Sequence, residues 1–577
     1  MDDDGYRATT SRRAMEASGG QSSVFIKSGF VKFMRPPTPV RFSKNPMDMY
    51  PKGTKALAAL MKRLSDTDDV RLLVMIWAMH TLQGKRAAIA RNYIRFPREA
   101  YNAQIGSLYF APKWEMETLV TLTLNTPKYV FPAHVRDPID TEEFSHFAHL
   151  LNLVKKVEDD ESRQHVNLDT IMREFHKLGH RQFPWQTGWD NIASVYRHIF
   201  IYGDGPCAKH FEDTYGLSVS DFVGCAFALY VQMGLSPFNP ALEAVPFAVA
   251  DGAIAKTLAM VSQDLYRARA ESRALYAKFR NSLGPIPLAY HPSYLRMKPI
   301  IRYTGAKNHY IAPFPELVLM RATVGLYYDL IGASTSVMNH ARTRFEVYAR
   351  EVIKAYCPEF DPEPAIKYKH KNSDAETPDV LLKRAGQVVS VFECKATKLS
   401  FQAQYGDDPA EDARDQYKQI ANAVFQLWRF FSHVRRGIIN VPLAEEVNAV
   451  VLTMEPWTQT SKELRKKMIE EAEKIAVVKE PEMTEADKRT PLFVSINELE
   501  YVLGHSDGDQ MLATFKTATE DRYAGWGARE VRRDLGNMPE KVKRYPFTPG
   551  AFLPWWDHAE TRARDRLAVA KETAEEE

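Results

Sequence analysis

The chain has 577 residues, 45% of them hydrophobic and 26% charged. That length exceeds one ordinary core and predicts two or three domains, and the balance is that of a globular protein, which excludes wholesale disorder. The formal net charge of +3 neither requires nor excludes a nucleic-acid partner, so any electrostatic footprint must be local.

Residues 1–46 start acidic, are Gly/Ser-rich and carry no apolar core. They predict a flexible tail, with one short ordered piece at 24–34, rather than a secretory signal. From 47 to 290 the pattern predicts a helical accessory domain, because stretches 55–64, 70–82, 142–157, 168–178 and 255–283 repeat apolar residues at spacings of three and four. No run approaches the ~18 apolar residues of a membrane span. The nearest, 222–235, is broken by Gln232 and reads as a buried helix, so a cytoplasmic protein without a membrane partner is expected. Cys207, Cys225, Cys357 and Cys394 form no CxxC pair, which predicts reduced, buried thiols. His176 and His180 stand four apart, with His146 and His149 upstream, but no Glu completes H-E-x-x-H and no metal is expected there. No P-loop is present. The aromatic pairs around Phe183-Pro-Trp185 and at Trp555-Trp556 read as packing elements.

From 291 to 520 short β-like runs alternate with helical ones, the texture of a mixed α/β domain. Within it, the Glu/Lys-rich stretch 462–488 reads as a solvated helix and loop inserted at about 460–490. Residues 491–496 read as one more strand, followed by a short helix at 497–503. A C-terminal extension, 521–577, ends in the acidic tail 572–577.

The informative stretch is 377–395, TPDVLLKRAGQVVSVFECK. Two apolar runs flank Lys383-Arg-Ala-Gly-Gln387, a connection of hairpin length. The second run, 388–392, is apolar on both faces except for Ser390, which predicts a strand in the middle of a sheet. Side chains alternate along a strand, so Glu393 and Lys395 share a face, continuing that of Val389 and Val391. A returning hairpin brings Asp379 beside Glu393. Two carboxylates and an ammonium at one sheet edge suit phosphodiester hydrolysis. The carboxylates can hold a hard cation such as Mg²⁺, with Mn²⁺ as a substitute, and the lysine can orient water or offset phosphate charge.

These residues resemble the PD-(D/E)XK nuclease superfamily, whose motif Pro378, Asp379, Glu393, Cys394 and Lys395 match in order. The resemblance covers about 300–503. It implies an α/β fold with an α/β/α restriction-endonuclease-like mixed sheet, and a Mg²⁺-dependent nuclease acting on DNA. Family members often carry a glutamate on a preceding helix. Here 340–356 has a helical apolar stripe with Glu346 at its edge, beside Ala349 and Ile353, as a metal ligand or a group that supports one. Many also carry a glutamine on the following helix. In 411–431 Gln416 borders the apolar face and Gln419 points away, so Gln416 is the expected phosphate- or water-positioning residue. The strand 449–454 would complete the sheet. Lys367, Lys369, His370, Lys371 and Lys398, with Arg435 and Arg436, are candidates for a phosphate-binding rim. A helical half fused to such a domain suits restriction or phage defence by analogy, positioning DNA, recruiting a protein partner or holding a homo-oligomer. The alternatives are a non-catalytic nucleic-acid-binding protein on the same fold, and a ribonuclease.

Overall fold

The computed structural model describes residues 54–128, 139–166, 170–304, 308–371, 373–456 and 461–561. The predicted N-terminal tail at 1–46, its piece at 24–34 and the acidic end at 572–577 lie outside them.

The first half is helical, as its periodicity predicts. It comprises α1 (Lys55–Asp66), α2 (Asp69–Gln83), α3 (Lys113–Asn125), α4 (Phe144–His165), α5 (Ile171–Thr187), α6 (Ile192–Tyr202), α7 (Gly205–Tyr215) and α8 (Val219–Leu235). Thr54, Asp68, Asn191 and Ser218 begin four of them, each side chain accepting a hydrogen bond from the backbone N–H three residues on. Among the described residues no single helix is long and apolar enough to cross a membrane. Helices α7 and α8 approach that only as a pair bent by 68°, and they bury Cys207, Phe211, Phe222 and Leu229 in the core.

The stretch read as one helix over 255–283 is divided into α9 (Ala253–Val261), β1 (Ser262–Asp264) and α10 (Leu265–Leu283). Asp264 caps α10 by accepting from the Arg267 N–H. β1 pairs parallel with β2 (Ile300–Thr304), and β2 pairs antiparallel with β3 (Asn308–Ile311). The short helix α11 (Glu316–Ala322) follows.

The second half is built on a five-stranded mixed sheet. Helix α12 (Thr335–Tyr356) leads into β4 (Asp361–Pro364), the hairpin β5 (Lys367–His370) and β6 (Ser373–Glu376), then β7 (Val380–Arg384) and β8 (Gln387–Lys395). After them come α13 (Arg414–Arg435), β9 (Leu443–Thr453), α14 (Lys462–Lys479), β10 (Leu492–Ser495) and α15 (Ile496–Gly504), then α16 (Gly508–Thr517) and α17 (Ala528–Asp534). The strand order is β10-β9-β8-β7-β4, with β5 and β6 forming a separate ribbon. β8, β9 and β10 pair in parallel, while β7 runs against β8 and pairs antiparallel with both β8 and β4. The doubly apolar β8 is thus the central strand, and β9 and β10 are the two further strands expected.

Helices cover both faces. On one, Val380, Leu382, Phe392 and Val450 pack with Phe345, Ala349, Val352 and Ile353 of α12. On the other, Leu381, Val391, Val451 and Phe493 pack with Tyr417, Ile420, Val424 and Leu427 of α13. The charged stretch expected as a solvated insertion is instead α14, the crossover between parallel β9 and β10. It buries Leu464, Met468, Ala472 and Ala476 in the same cluster as α13.

The largest core does not stop at residue 290. It joins Ile199, Phe211, Phe222 and Leu229 to Phe345, Phe392, Val494, Phe515 and Trp555. The Trp555 indole donates to the Ser220 carbonyl at 3.1 Å and lies where any Cβ on Gly224 would stand, 2.9 Å away.

Candidate active site

The hairpin β7–β8 turns through Ala385 and Gly386, whose φ values of 49° and 80° give the both-positive geometry of a tight two-residue turn. Pairing of Val380 with Phe392 places Asp379, just before β7, opposite the end of β8. Asp379 is in phase with Leu381, and Glu393 and Lys395 with Val391, so all three lie on the α13 side of the sheet. Val389 does not share that face, contrary to the alternation expected. A bulge places it between Val388 and Ser390, and it packs with the α12 cluster.

The site forms at the carboxyl end of β8. The Asp379 carboxylate accepts from the Cys394 N–H at 2.7 Å, which locks the two strand ends together. Lys395 Nζ donates to Glu393 Oε1 at 2.7 Å. Glu393 is 1% exposed, and its Oε2 is buried without a partner. Asp379, Lys395 and Glu346 are half-buried around it. Glu346 comes from α12, in the opposite layer, yet couples electrostatically to Asp379 and Lys395.

Burial dominates the titration of the groups at this site. Burial lifts the Glu393 carboxyl to about 7, against the attraction of Lys395 and with the repulsion of Asp379. Burial likewise lifts Glu346 to about 7, with Asp379 adding to the rise and Arg350 and Lys395 opposing it. Asp379 is also raised by burial, despite Lys395 and the Cys394 N–H. Burial opposes the charge on Lys395, but Glu393 and Asp379 outweigh it and hold the ammonium above its ordinary value. Three carboxylates thus gather around Lys395, with Arg350 and Arg429 acting on them from the two flanking helices. With one oxygen of Glu393 buried and unpartnered and Asp379 coupled to it, the donor set fits a hard divalent cation.

Gln416 is buried, but its Oε1 accepts from the Ser400 N–H at 3.0 Å. It anchors the loop after β8. Gln419, expected to point away, accepts from the Thr397 hydroxyl at 3.0 Å, two residues past Lys395. Sequence reasoning missed Arg350 and Arg429, which bear electrostatically on Glu346 and Glu393 respectively. Arg350 lies one helical turn after Glu346, a spacing that could have suggested it. Arg429 carries no such signal.

The expected basic rim is only partly exposed. Lys367 and Lys369 are solvent-facing and pair across their ribbon with Glu376 at 3.4 Å and Asp374 at 2.5 Å. Lys398 is not at the rim. It is fully buried, donating to the Val324 carbonyl at 3.0 Å and pairing with Glu455 at 3.2 Å. Lys371 lies 3.8 Å from Glu482, Arg435 pairs with Asp487 at 2.9 Å, and Arg436 pairs with Glu480 and Glu482. His176 lies 3.0 Å from the Ala403 carbonyl, and His146 Nδ1 accepts from the Asp140 N–H.

A cavity of about 1360 Å³ lies at the carboxyl ends of the parallel strands, walled by Ser400, Glu455, Ser495, Arg197 and Arg296 among others. It borders the loop after Lys395, but the carboxylates are not part of its wall. No family model, curated protein or solved structure matches this chain.

Proposed function

We propose that this chain is a Mg²⁺-dependent phosphodiester hydrolase acting on DNA, built on the restriction-endonuclease-like fold of the PD-(D/E)XK nucleases. The observation that carries the reading is the meeting of Asp379, Glu393 and Lys395 at the end of the central strand, with Glu346 joining them and a Glu393 oxygen left unpartnered. The mixed sheet with helices on both faces supports it further.

Asp379, Glu393 and Glu346 would hold the cation, which supplies Lewis-acid polarisation of the phosphate and a more acidic bound water. Asp379 is fixed by the Cys394 N–H, so its free oxygen has one orientation. Lys395 is held by Glu393 with its remaining protons directed away from that bond. Its N–H groups can orient the attacking water by hydrogen bonding, or hydrogen-bond a phosphate oxygen as charge grows there. Gln416 contributes by setting the loop at 396–400. The exposed Lys367 and Lys369 lie on the ribbon that runs directly into Asp379 and suit contact with a phosphate backbone.

The test is cleavage of linear DNA, circular DNA and RNA by the purified chain in Mg²⁺, Mn²⁺ or EDTA, beside Asp379→Asn and Lys395→Met. Expected is metal-dependent cutting of DNA that falls at least about 100-fold in both variants, the loss typical of removing a group that stabilises transition-state charge. Cutting that survives both substitutions overturns the assignment, and cutting of RNA alone moves the substrate class.

A further inference from the structure

A second cluster of metal-ligating atoms lies outside the carboxylate site. His370 ends strand β5, His433 lies in the last turn of α13, and Glu480 follows α14. One ligand atom from each lies within 4.8 Å of the others. Glu480 Oε1 is 3.2 Å from His433 Nε2 and 3.8 Å from His370 Nε2, and the two imidazole rings are 4.4 Å apart. His433 is 0% and Glu480 6% exposed.

We propose that His370, His433 and Glu480 form a zinc site that clasps the β5–β6 ribbon to helices α13 and α14. Three features carry this. First, a tetrahedral ion with ligands at about 2.0–2.1 Å sets neighbouring ligand atoms about 3.3 Å apart, and the two Glu480–imidazole separations, 3.2 and 3.8 Å, bracket that value. Second, one carboxylate oxygen faces two imidazole nitrogens, and His370 Nε2 is buried with no hydrogen bond. A cation between them satisfies all three. Third, the groups behind the ligands are in place. His433 Nδ1 is 2.7 Å from the Tyr368 hydroxyl, which fixes the ring with Nε2 toward the cluster, as an outer partner does for a metal-bound histidine. The other Glu480 oxygen accepts from Arg436 at 3.3 Å, leaving Oε1 as the single coordinating atom.

Two imidazoles and one carboxylate select Zn²⁺ over Mg²⁺, so this site and the carboxylate site take different ions. The fourth position is left for water. Strand β6 of the clasped ribbon leads through Thr377 and Pro378 into Asp379, so the ion fixes the path of the chain that delivers that carboxylate. The inference does not depend on the nuclease reading.

The experiment uses the untagged full chain, stripped with EDTA and then given Zn²⁺ or Co²⁺. Expected are one zinc per chain by elemental analysis, a tetrahedral Co²⁺ absorption spectrum and a rise in Tm on reloading. His370→Ala, at the least buried corner of the cluster, should still fold, lose the Co²⁺ spectrum, weaken Zn²⁺ at least about 100-fold, and no longer gain Tm on adding Zn²⁺. Tyr368→Phe should weaken Zn²⁺ about 10-fold, the usual size of an outer-partner effect. Asp379→Asn should keep its zinc. Wild-type protein that takes up no zinc, zinc retained by His370→Ala, or zinc lost in Asp379→Asn would each overturn the proposal.

Discussion

A carboxyl group as buried as Glu393 keeps its proton to about pH 7, while the same group in an unfolded chain loses it near its ordinary value of 4.5. Between those values the folded state binds more protons than the unfolded state, so stability falls as pH rises. The favourable contribution is complete below about 4.5 and gone once pH passes about 7. Glu346 behaves the same way. A divalent cation replaces the lost protons, so its stabilising effect grows with pH. We therefore expect Tm in EDTA to fall from pH 5 to 8, and Mg²⁺ to restore more at pH 8 than at pH 6. Glu393→Gln should flatten both dependences, the difference from wild type reaching about 1–3 kcal/mol at pH 8. Paired melts across that range test this, and identical profiles for the two proteins would refute it. Asp379, Glu393 and Lys395 were legible in the sequence because their meeting depends on one short hairpin and a period of two. Arg429 and the His370–His433–Glu480 cluster were not, because those residues reach their positions from separate layers.

The hairpin that unites Asp379 with Glu393 depends on a turn with an alanine in an unfavourable place. Ala385 has φ 49°, a left-handed conformation that its Cβ resists by about 1–2 kcal/mol. Ala385→Gly should relieve part of that strain and raise stability by about 0.5–1 kcal/mol, offset by the added freedom of the unfolded chain. Because the turn lies at the opposite end of β8 from the carboxylates, DNA cleavage should be unchanged. Denaturant melts beside cleavage rates check both halves of that statement. Two features of these elements escaped a reading by pattern. The bulge at Val389 depends on how β7 and β9 pair with β8, which no single strand's sequence encodes. Helix α14 looked solvated because Glu and Lys dominate it, yet Leu464, Met468, Ala472 and Ala476 recur every four residues and form a narrow buried stripe. Composition hid what spacing contained.

Helices dominate before residue 290 and the five-stranded sheet lies after it. The folded core nevertheless crosses it. Arg197 of α6 pairs with Glu500 of α15 and donates to Asn497 at 2.7 Å. Tyr348 of α12 also donates to Glu500 and lies 2.8 Å from the Tyr545 hydroxyl. Arg197 and Glu500 are 3% and 10% exposed in their side chains and stand 303 positions apart, a separation that leaves no local signal. Removing one member of a buried pair strands the other charge, at about 3–5 kcal/mol. If the halves fold as one unit through this network, Arg197→Met lowers the temperature of a single calorimetric transition by several degrees. The sheet's tertiary signal and the helical signal should then be lost together. Two resolved transitions, only one of them moved by the substitution, would show instead that the halves fold separately. The shared core would then be a docking surface, and the candidate active site would owe its stability to the sheet alone.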